Sequence, residues 1–352
     1  MPPPNVIILI DWHFIGDILM ISRLAAVSFV FLFSLSIANA SVITGAGSTL
    51  AKPLYERWGK NYKAVSGDII QYDGIGSGEG IKKIKAHSVD FADSDVPLND
   101  VDLKKNHLMQ FPIAIGAIVP VINLDEIEPG SLKLTGPVLA DIFLGKIKKW
   151  NDPEITALNP DIKLPAIPIV VVHRSDSSGS TYLFTTYLSE VSPAWKNKIG
   201  SHLIVHWPIG ISKKGSEELS TFVLLKKGAI GYVEYNYAQF MNFTQLQNKS
   251  GHFVQPSTLY LLHALDDVDW KNTPNFNRLL INKPGNKIWP LTAMTFAFIN
   301  INQKNKTKTT RVLKFFDWSF NKGKELAYQL YYVPIPEELV NIIESRWNSH
   351  SK

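Results

Sequence analysis

Three times this chain places a run of β-branched residues, a turn of glycine and serine, and a helix start in immediate succession. The first is "SVITGAGSTLAKPLYERW", where Gly45 and Gly47 permit a tight turn and Ser48 and Thr49 read as capping residues. Pro53 falls in the first helical turn, where its missing N–H costs least, so a helix is expected from near Leu50. The second is "DGIGSGEGIKKIK", with Gly74, Gly76, Gly78 and Gly80 allowing close backbone approach and Ser77 at the helix entry. The third is "HRSDSSGSTYLFTTYL", with Ser178, Gly179 and Ser180 ahead of Tyr182, Leu183, Phe184, Tyr187 and Leu188 at helical spacing. Strands that feed helices in this way require an α/β architecture. Each helix start also projects unpaired N–H groups and the positive end of a helix dipole. One such turn is ordinary capping; three, one of them beside Arg174, point to N-termini converging on an anion.

The alternatives fail on spelling. Gly45 is followed five positions on by Leu50, and "GIGSGEG" leads to Ile81 and Lys82, so the phosphate-loop form is absent. Counting G-x-G-x-x-G from Gly74 puts Glu79 in the last glycine's place. A G-x-S-x-G serine elbow is missing too, because Ile75 and Asp176 stand two residues before Ser77 and Ser178. His173 follows "IVVV" and reads as the end of a strand, and no H-E-x-x-H occurs, so a metal site has no support. Cysteine is absent altogether, which removes disulfides, thiolate metal sites and thiol catalysis at once.

A chain of 352 residues exceeds what one core usually serves, so two domains are expected. Net charge is +5; Asp11, Asp17 and Arg23 leave the first forty residues at −1 and the remainder at +6. The lysines are scattered, as in "KKIK" and "KIKK", rather than massed on an aromatic-interleaved face, which argues against nucleic acid as a partner. The stretch from Met20 to Ala40 carries Arg23, an apolar core from Leu24 to Ile37 and the small-residue close Ala38-Asn39-Ala40. This is the layout of a secretory signal peptide cleaved after Ala40, and the apolar core is short of the roughly twenty residues that span a bilayer. Residues 1–19 have no place ahead of a signal start, so translation is expected to begin at Met20.

Two long apolar runs without helical period stand apart, "FPIAIGAIVPVIN" (Phe111 to Asn123) and "WPLTAMTFAFIN" (Trp289 to Asn300). By frequency they are core strands. The C-terminal "VLKFFDWSF" and "EELVNIIESRW" read as amphipathic helices.

The segments "TGAGSTL", "GIGSGEG", "VDFADSDVPL", "FPIAIGAIVPVIN", "DIFLGKIKKWNDPEITALNP", "RSDSSGST", "GAIGYVEYNYA" and "FFDW" together cover essentially all the chain after Ala40. In them the chain resembles the periplasmic phosphate-binding protein of the bacterial phosphate-specific ABC importer. The resemblance implies a two-lobed periplasmic binding protein of type II-like form, two α/β domains joined by a two-crossover hinge with the ligand in the cleft. Lobe I would comprise residues 41–120 and 296–352, lobe II residues 121–295, the two apolar runs serving as crossovers. It implies hydroxyl donors Thr49 and Ser77, the Leu50 backbone N–H and the acceptor Asp95 from lobe I. Lobe II would add the Arg174 guanidinium, the Ser178 hydroxyl, the Gly179 N–H, and Ser180 through backbone and hydroxyl, with Asp176 holding Arg174 in position. The implied activity is capture of inorganic phosphate, with arsenate as analogue, and delivery to membrane permease subunits of the importer. The protein would be a monomer in the periplasm, with no cofactor, metal or catalytic residue. Leu50 stands where the family commonly has an aromatic residue and Ser180 where threonine is usual, while Glu79 adds a carboxylate near the anion.

The chemistry agrees with the resemblance. Phosphate near neutral pH keeps a proton, so its site needs many donors and one acceptor, and an ionised Asp95 accepts but cannot donate. Sulfate lacks that proton and meets a like charge instead. Without the resemblance, "SDVP" would read as a turn with Asp95 capping a helix. Arg174 offers a planar fork that lysine cannot copy. Hydrogen bonds to charged groups, worth roughly 1.5–3 kcal/mol each, supply micromolar binding without a metal. The competing readings are a secreted phosphoryl or acyl hydrolase using Ser178 or Ser77, a receptor for another tetrahedral oxyanion, and an adhesive protein on the same fold.

Overall fold

Strand Val42–Gly47 (β1) opens the fold and pairs in parallel with both Ile69–Gly74 (β2) and Phe91–Ser94 (β3). The computed structural model describes residues 41–301 and 306–350, with side chains to residue 347. The signal-peptide and start-site expectations for residues 1–40 lie outside the described residues. From Val42 onward the chain forms one compact unit.

Next in the chain is Leu108–Ile122 (β4), fifteen residues all buried. Then come Val170–Arg174 (β5), Ile211–Lys213 (β6), Ala229–Glu234 (β7) and Thr292–Asn300 (β8). The main sheet runs β2-β1-β3-β8-β4-β7-β5-β6, with two short strands also pairing β4. Each outer trio, β2-β1-β3 and β7-β5-β6, is parallel internally. The joints β3-β8, β8-β4 and β4-β7 are antiparallel. Strands covered on both faces show continuous apolar runs, which is why β4 and β8 lack alternation in sequence.

The two long apolar runs therefore lie side by side, from Thr292 opposite Ala117 to Asn300 opposite Leu108. Between Thr295 and Phe296 the register slips, so Thr295 faces Ala114 while Phe296 faces Pro112. Pro112 has no N–H for the ladder, and a bulge beside it absorbs the defect. At Ile118 the neighbour of β4 changes, residues 118–122 pairing with β7. The Ile118 N–H donates to the Leu291 carbonyl at 2.9 Å at this junction.

Helices bracket the parallel trios. Lys52–Ser66 (α1) buries Leu54, Tyr55, Trp58, Gly59 and Tyr62 and ends at Gly67, whose φ of 78° closes the helix in the left-handed region. Its Tyr55 and Trp58 rings pack on Phe315, a residue of the C-terminal helix Lys306–Asn321. The final helix, Glu337–His350, brings Trp347 edge-on to Phe111 of β4. Both C-terminal helices thus return to the half of the sheet built from β1–β3.

Candidate functional site

Every parallel strand of both trios ends at the same region, and the residues just beyond those carboxyl ends build the site. Open α/β sheets place ligands there because loop backbone and helix N-termini face the crevice. After β1 come Ser48, Thr49 and Leu50; after β2, Ser77 opens helix Ser77–Lys85 (α2). Asp95 comes directly after β3, Arg174 ends β5, and Ser178 caps helix Gly179–Val191 (α3). Ser216 lies in the first turn of helix Gly215–Leu225 (α4), just after β6, and Glu234 ends β7.

Arg174, 3% exposed, binds Asp176 with one edge of its guanidinium, Nε to Oδ1 at 2.7 Å and Nη2 to Oδ2 at 2.5 Å. Asp176 also accepts the Gly215 N–H at 3.0 Å. Burial pushes the Asp176 pKa up, yet the Arg174 hydrogen bonds and charge outweigh it and hold the carboxyl below its ordinary value. The other guanidinium edge faces the cleft, where Nη1 donates to Thr49 Oγ1 at 3.1 Å and Ser216 Oγ at 2.9 Å. Thr49 and Ser216 are 2.9 Å apart. Glu234, 1% exposed, collects the same group: its Oε1 accepts from Ser180 at 2.7 Å and Ser216 at 2.8 Å, with Thr49 at 3.4 Å.

A second cluster surrounds Asp95, 1% exposed. Ser48 Oγ donates to it at 2.7–2.8 Å, Thr295 Oγ1 at 2.9 Å, and Ser77 Oγ lies at 3.5 Å. Burial lifts the Asp95 pKa to about 6 against the pull of the Ser48 and Thr295 hydrogen bonds and the Arg174 charge. Neighbouring Asp93 is raised well above the ordinary carboxylate range by burial and by Asp95. The geometry agrees, since Thr295 Oγ1 contacts Asp93 Oδ1 as well as Asp95, and one hydroxyl proton serves only one acceptor. A proton on Asp93 completes that pair, leaving the ionic role to Asp95.

Helix α3 joins the clusters, Gly179 toward Asp95 and Ser77, Ser180 toward Glu234. Glycine is required there: a Cβ on Gly179 would lie 2.4 Å from Asp95 Oδ2 and 2.4 Å from Ser77 Oγ. The Gly78 N–H donates to the Ser177 carbonyl at 3.1 Å, so the N-termini of α2 and α3 abut. A cavity of about 280 Å³ opens between the starts of α1 and α4, lined among others by Thr49, Lys52, Lys214, Ser216, Glu217 and Tyr237. All eight residues expected to bind the anion thus lie at this junction, among many hydrogen-bond donors and two buried carboxylates, Asp95 and Glu234.

One local expectation, the capping of α1 by Ser48 or Thr49, needs correction. The N-cap of α1 is Ala51, with no side-chain cap, because the Ser48 hydroxyl is drawn to Asp95 and Thr49 to Ser216. The Leu50 N–H is taken by Ser48 Oγ at 3.0 Å. Ser178 Oγ accepts the Thr181 N–H at 3.2 Å as a cap, which still leaves its own proton to donate. Asp95 caps nothing; Asn99 caps the next helix through the Asp102 N–H at 2.9 Å. Glu79 points outward, pairing with Lys82 at 2.6 Å.

Ser48, Ser216, Glu234 and Thr295 have no binding role that the sequence alone assigns. "KKGSEEL" is a fourth glycine-serine helix start and carries a usable signal for Ser216. Glu234 is marked only by being a charged residue that ends the apolar run "AIGYVE". Thr295 has no sequence signal.

A family model described as the PBP superfamily domain matches residues 36–259. The fold and this cleft therefore define a binding protein of the PBP superfamily. The Phosphate-binding protein PstS of Xylella fastidiosa (strain 9a5c) is 47% identical over 312 residues, 88% of this chain and 86% of that one. The Haemophilus influenzae Phosphate-binding protein PstS is 46% identical over 321 residues, 91% of this chain and 96% of that one. This chain belongs to the PstS family of phosphate-binding proteins. Among solved structures, a high affinity periplasmic phosphate-binding protein (PfluDING) bound with phosphate superposes with a TM-score of 0.68, 20% identity, 86% of this chain and 93% of that one. A putative phosphate ABC transporter substrate-binding protein with bound phosphate from Clostridium perfringens gives 0.61, 18% identity, 84% and 100%. These two likenesses concern the fold.

Proposed function

We infer that this protein is a periplasmic receptor that binds inorganic phosphate in its cleft and delivers it to the membrane subunits of an ABC importer. The observation that carries the reading is the convergence of Thr49, Ser77, Arg174, Ser178, Gly179 and Ser180 on one buried junction with Asp95 as acceptor. The donors suit a tetrahedral oxyanion, and Asp95 suits one that still carries a proton. The edge of Arg174 away from Asp176 presents N–H groups to the cleft, where they now meet Thr49 and Ser216, while Asp176 prevents the fork from turning.

The lobes meet at two crossovers, Ala117–Ile118 and Leu291–Thr292, a few residues from the junctions expected near 120 and 296. The change of strand partner at Ile118 and its bond to Leu291 support this placement. Closure about that line brings Ser77 and Asp95 against Gly179, and the importer distinguishes loaded from empty receptor by it. Met20 to Ala40 serve as the export signal, and no helix among the described residues is long and apolar enough to cross a membrane.

The protein is a binding protein, not an enzyme. His173, the base nearest the serines in sequence, stacks on Trp207 at 4.8 Å, and its Nδ1 faces the Arg174 carbonyl. Calorimetry with phosphate, arsenate and sulfate at pH about 8 tests the reading. Phosphate binds at one site per chain, arsenate competes and sulfate does not; a protein that ignores phosphate, or turns over a chromogenic phosphate ester, refutes it.

A further inference from the structure

Glu234 is a second buried carboxylate at the anion junction, and the phosphate reading leaves it without a task. Its Oε1 accepts from Ser180 at 2.7 Å and Ser216 at 2.8 Å, with Thr49 at 3.4 Å and Arg174 Nη1 at 3.8 Å. Three hydroxyls and a guanidinium around one oxygen is the coordination expected of a bound oxyanion. Oε2 has no hydrogen-bond partner among the described residues, so the carboxylate is held entirely through the oxygen that faces those groups.

Two physical facts make this arrangement consequential. A hydroxyl has one proton, so Ser180 or Ser216 pointing at Glu234 offers only lone pairs to any other oxyanion. The charge of Arg174 is already matched by Asp176 through two short bonds, so Glu234 adds a surplus negative charge beside the cleft. Phosphate cannot take the Ser180 and Ser216 protons while Glu234 keeps them, and Arg174 Nη1 is meanwhile engaged with the Thr49 and Ser216 oxygens.

We propose that Glu234 is an internal competitor that occupies the anion's donors in the empty receptor and thereby sets how tightly phosphate is held and how fast it leaves. The proposal rests on the phosphate reading above. Phosphate entry switches the protons of Ser180 and Ser216, and with them Thr49, from the glutamate to the ligand. On release the glutamate takes them back, so the emptied site is never left with unmatched buried donors, which are costly. An ordinary supporting role, in which Glu234 merely orients the hydroxyls, predicts the opposite sign when its charge is removed.

The test is phosphate binding by wild type and Glu234→Gln, using calorimetry for affinity and stopped-flow displacement for release. Glutamine keeps an acceptor but surrenders the charge. The expected result is at least about tenfold tighter binding and correspondingly slower release, the weight of one charge-assisted hydrogen bond. Equal or weaker affinity in a variant that melts like wild type overturns the proposal. Should the variant fail to fold, difference infrared spectra of wild type labelled with ¹³C-glutamate decide instead. A glutamate carboxylate band that moves on adding phosphate supports the switch, and an unmoved band overturns it. Wild type that does not bind phosphate at all defeats the receptor reading, whereas binding by wild type without tightening in the variant defeats only the role of Glu234.

Discussion

The α-carbon of Gly179 faces the Asp95 carboxylate so closely that a single added methyl group would sit 2.4 Å from Oδ2. These two residues come from opposite halves of the sheet, one at the start of α3 and one after β3. Glycine is needed there for space rather than for backbone freedom. Gly179→Ala is therefore expected to fold and melt like wild type but to resist closure. Overpacking costs about 1–3 kcal/mol, roughly a ten- to hundredfold loss of phosphate affinity. Small-angle scattering with and without phosphate checks it, and a variant that compacts normally speaks against this contact as the closing surface.

Asp95→Asn replaces an acceptor-only group with one that can also donate. Sulfate affinity is expected to rise at least about tenfold as the like-charge repulsion disappears. Competition calorimetry measures the ratio of phosphate to sulfate affinity, and an unchanged ratio would show that Asp95 does not select for the ligand's proton.

Burial lifts Asp95 from 3.8 to about 6, and this fixes the sign of its pH effect. An acid raised in the folded state stabilises the fold fully below its unfolded value, and that contribution is lost as pH rises through about 6. The swing is worth about 3 kcal/mol. Ligand-free thermal melts from pH about 4 to 8 should show wild type losing stability relative to Asp95→Asn as Asp95 ionises. The same proton governs selectivity: sulfate rejection should weaken below pH about 6, where Asp95 no longer repels. Rejection that is flat across this range contradicts the assignment.

Arg174→Lys keeps the charge but loses both the two-pronged hold of Asp176 and the edge facing Thr49 and Ser216. Phosphate affinity should fall by about a hundredfold or more, the loss of two charge-assisted hydrogen bonds. Asp176→Asn should weaken binding less, because the arginine remains but is no longer pinned by a carboxylate that also holds the Gly215 N–H. Titration calorimetry of both variants gives the order, and the reverse order would show that Asp176 does more than orient Arg174.

Glu79→Gln should leave phosphate affinity within about twofold. Its carboxylate is exposed and pairs with Lys82, and such surface pairs contribute little. A larger change in either direction would mean that the glutamate turns inward when phosphate binds.

The helix starts at Ser77 and Gly179 are legible in the sequence because glycine and serine act on the backbone next to them. The start of α1 is less so. Ser48 and Thr49 have good capping chemistry, but Asp95 and Ser216, both remote in sequence, compete for their hydroxyls. Leu50 reads as offering a free N–H, and only the tertiary position of Ser48 reveals that it is occupied. The two apolar runs are recognisable as strands, yet their antiparallel pairing and the bulge opposite Pro112 depend on register, which no local pattern encodes. Glu234 marks the boundary most clearly. A lone glutamate ending an apolar run resembles any strand terminus until Ser180, Ser216 and Thr49 are seen to converge on it.

Strand β4 is shared by both halves of the sheet, and the residues where it changes partner, Ala117 and Ile118, are wholly buried along with Leu291 and Thr292. The proposed pivot is therefore also part of the deepest core. The closure proposed above must thus bend its crease while keeping it dry, so the paired strands flex together and do not part.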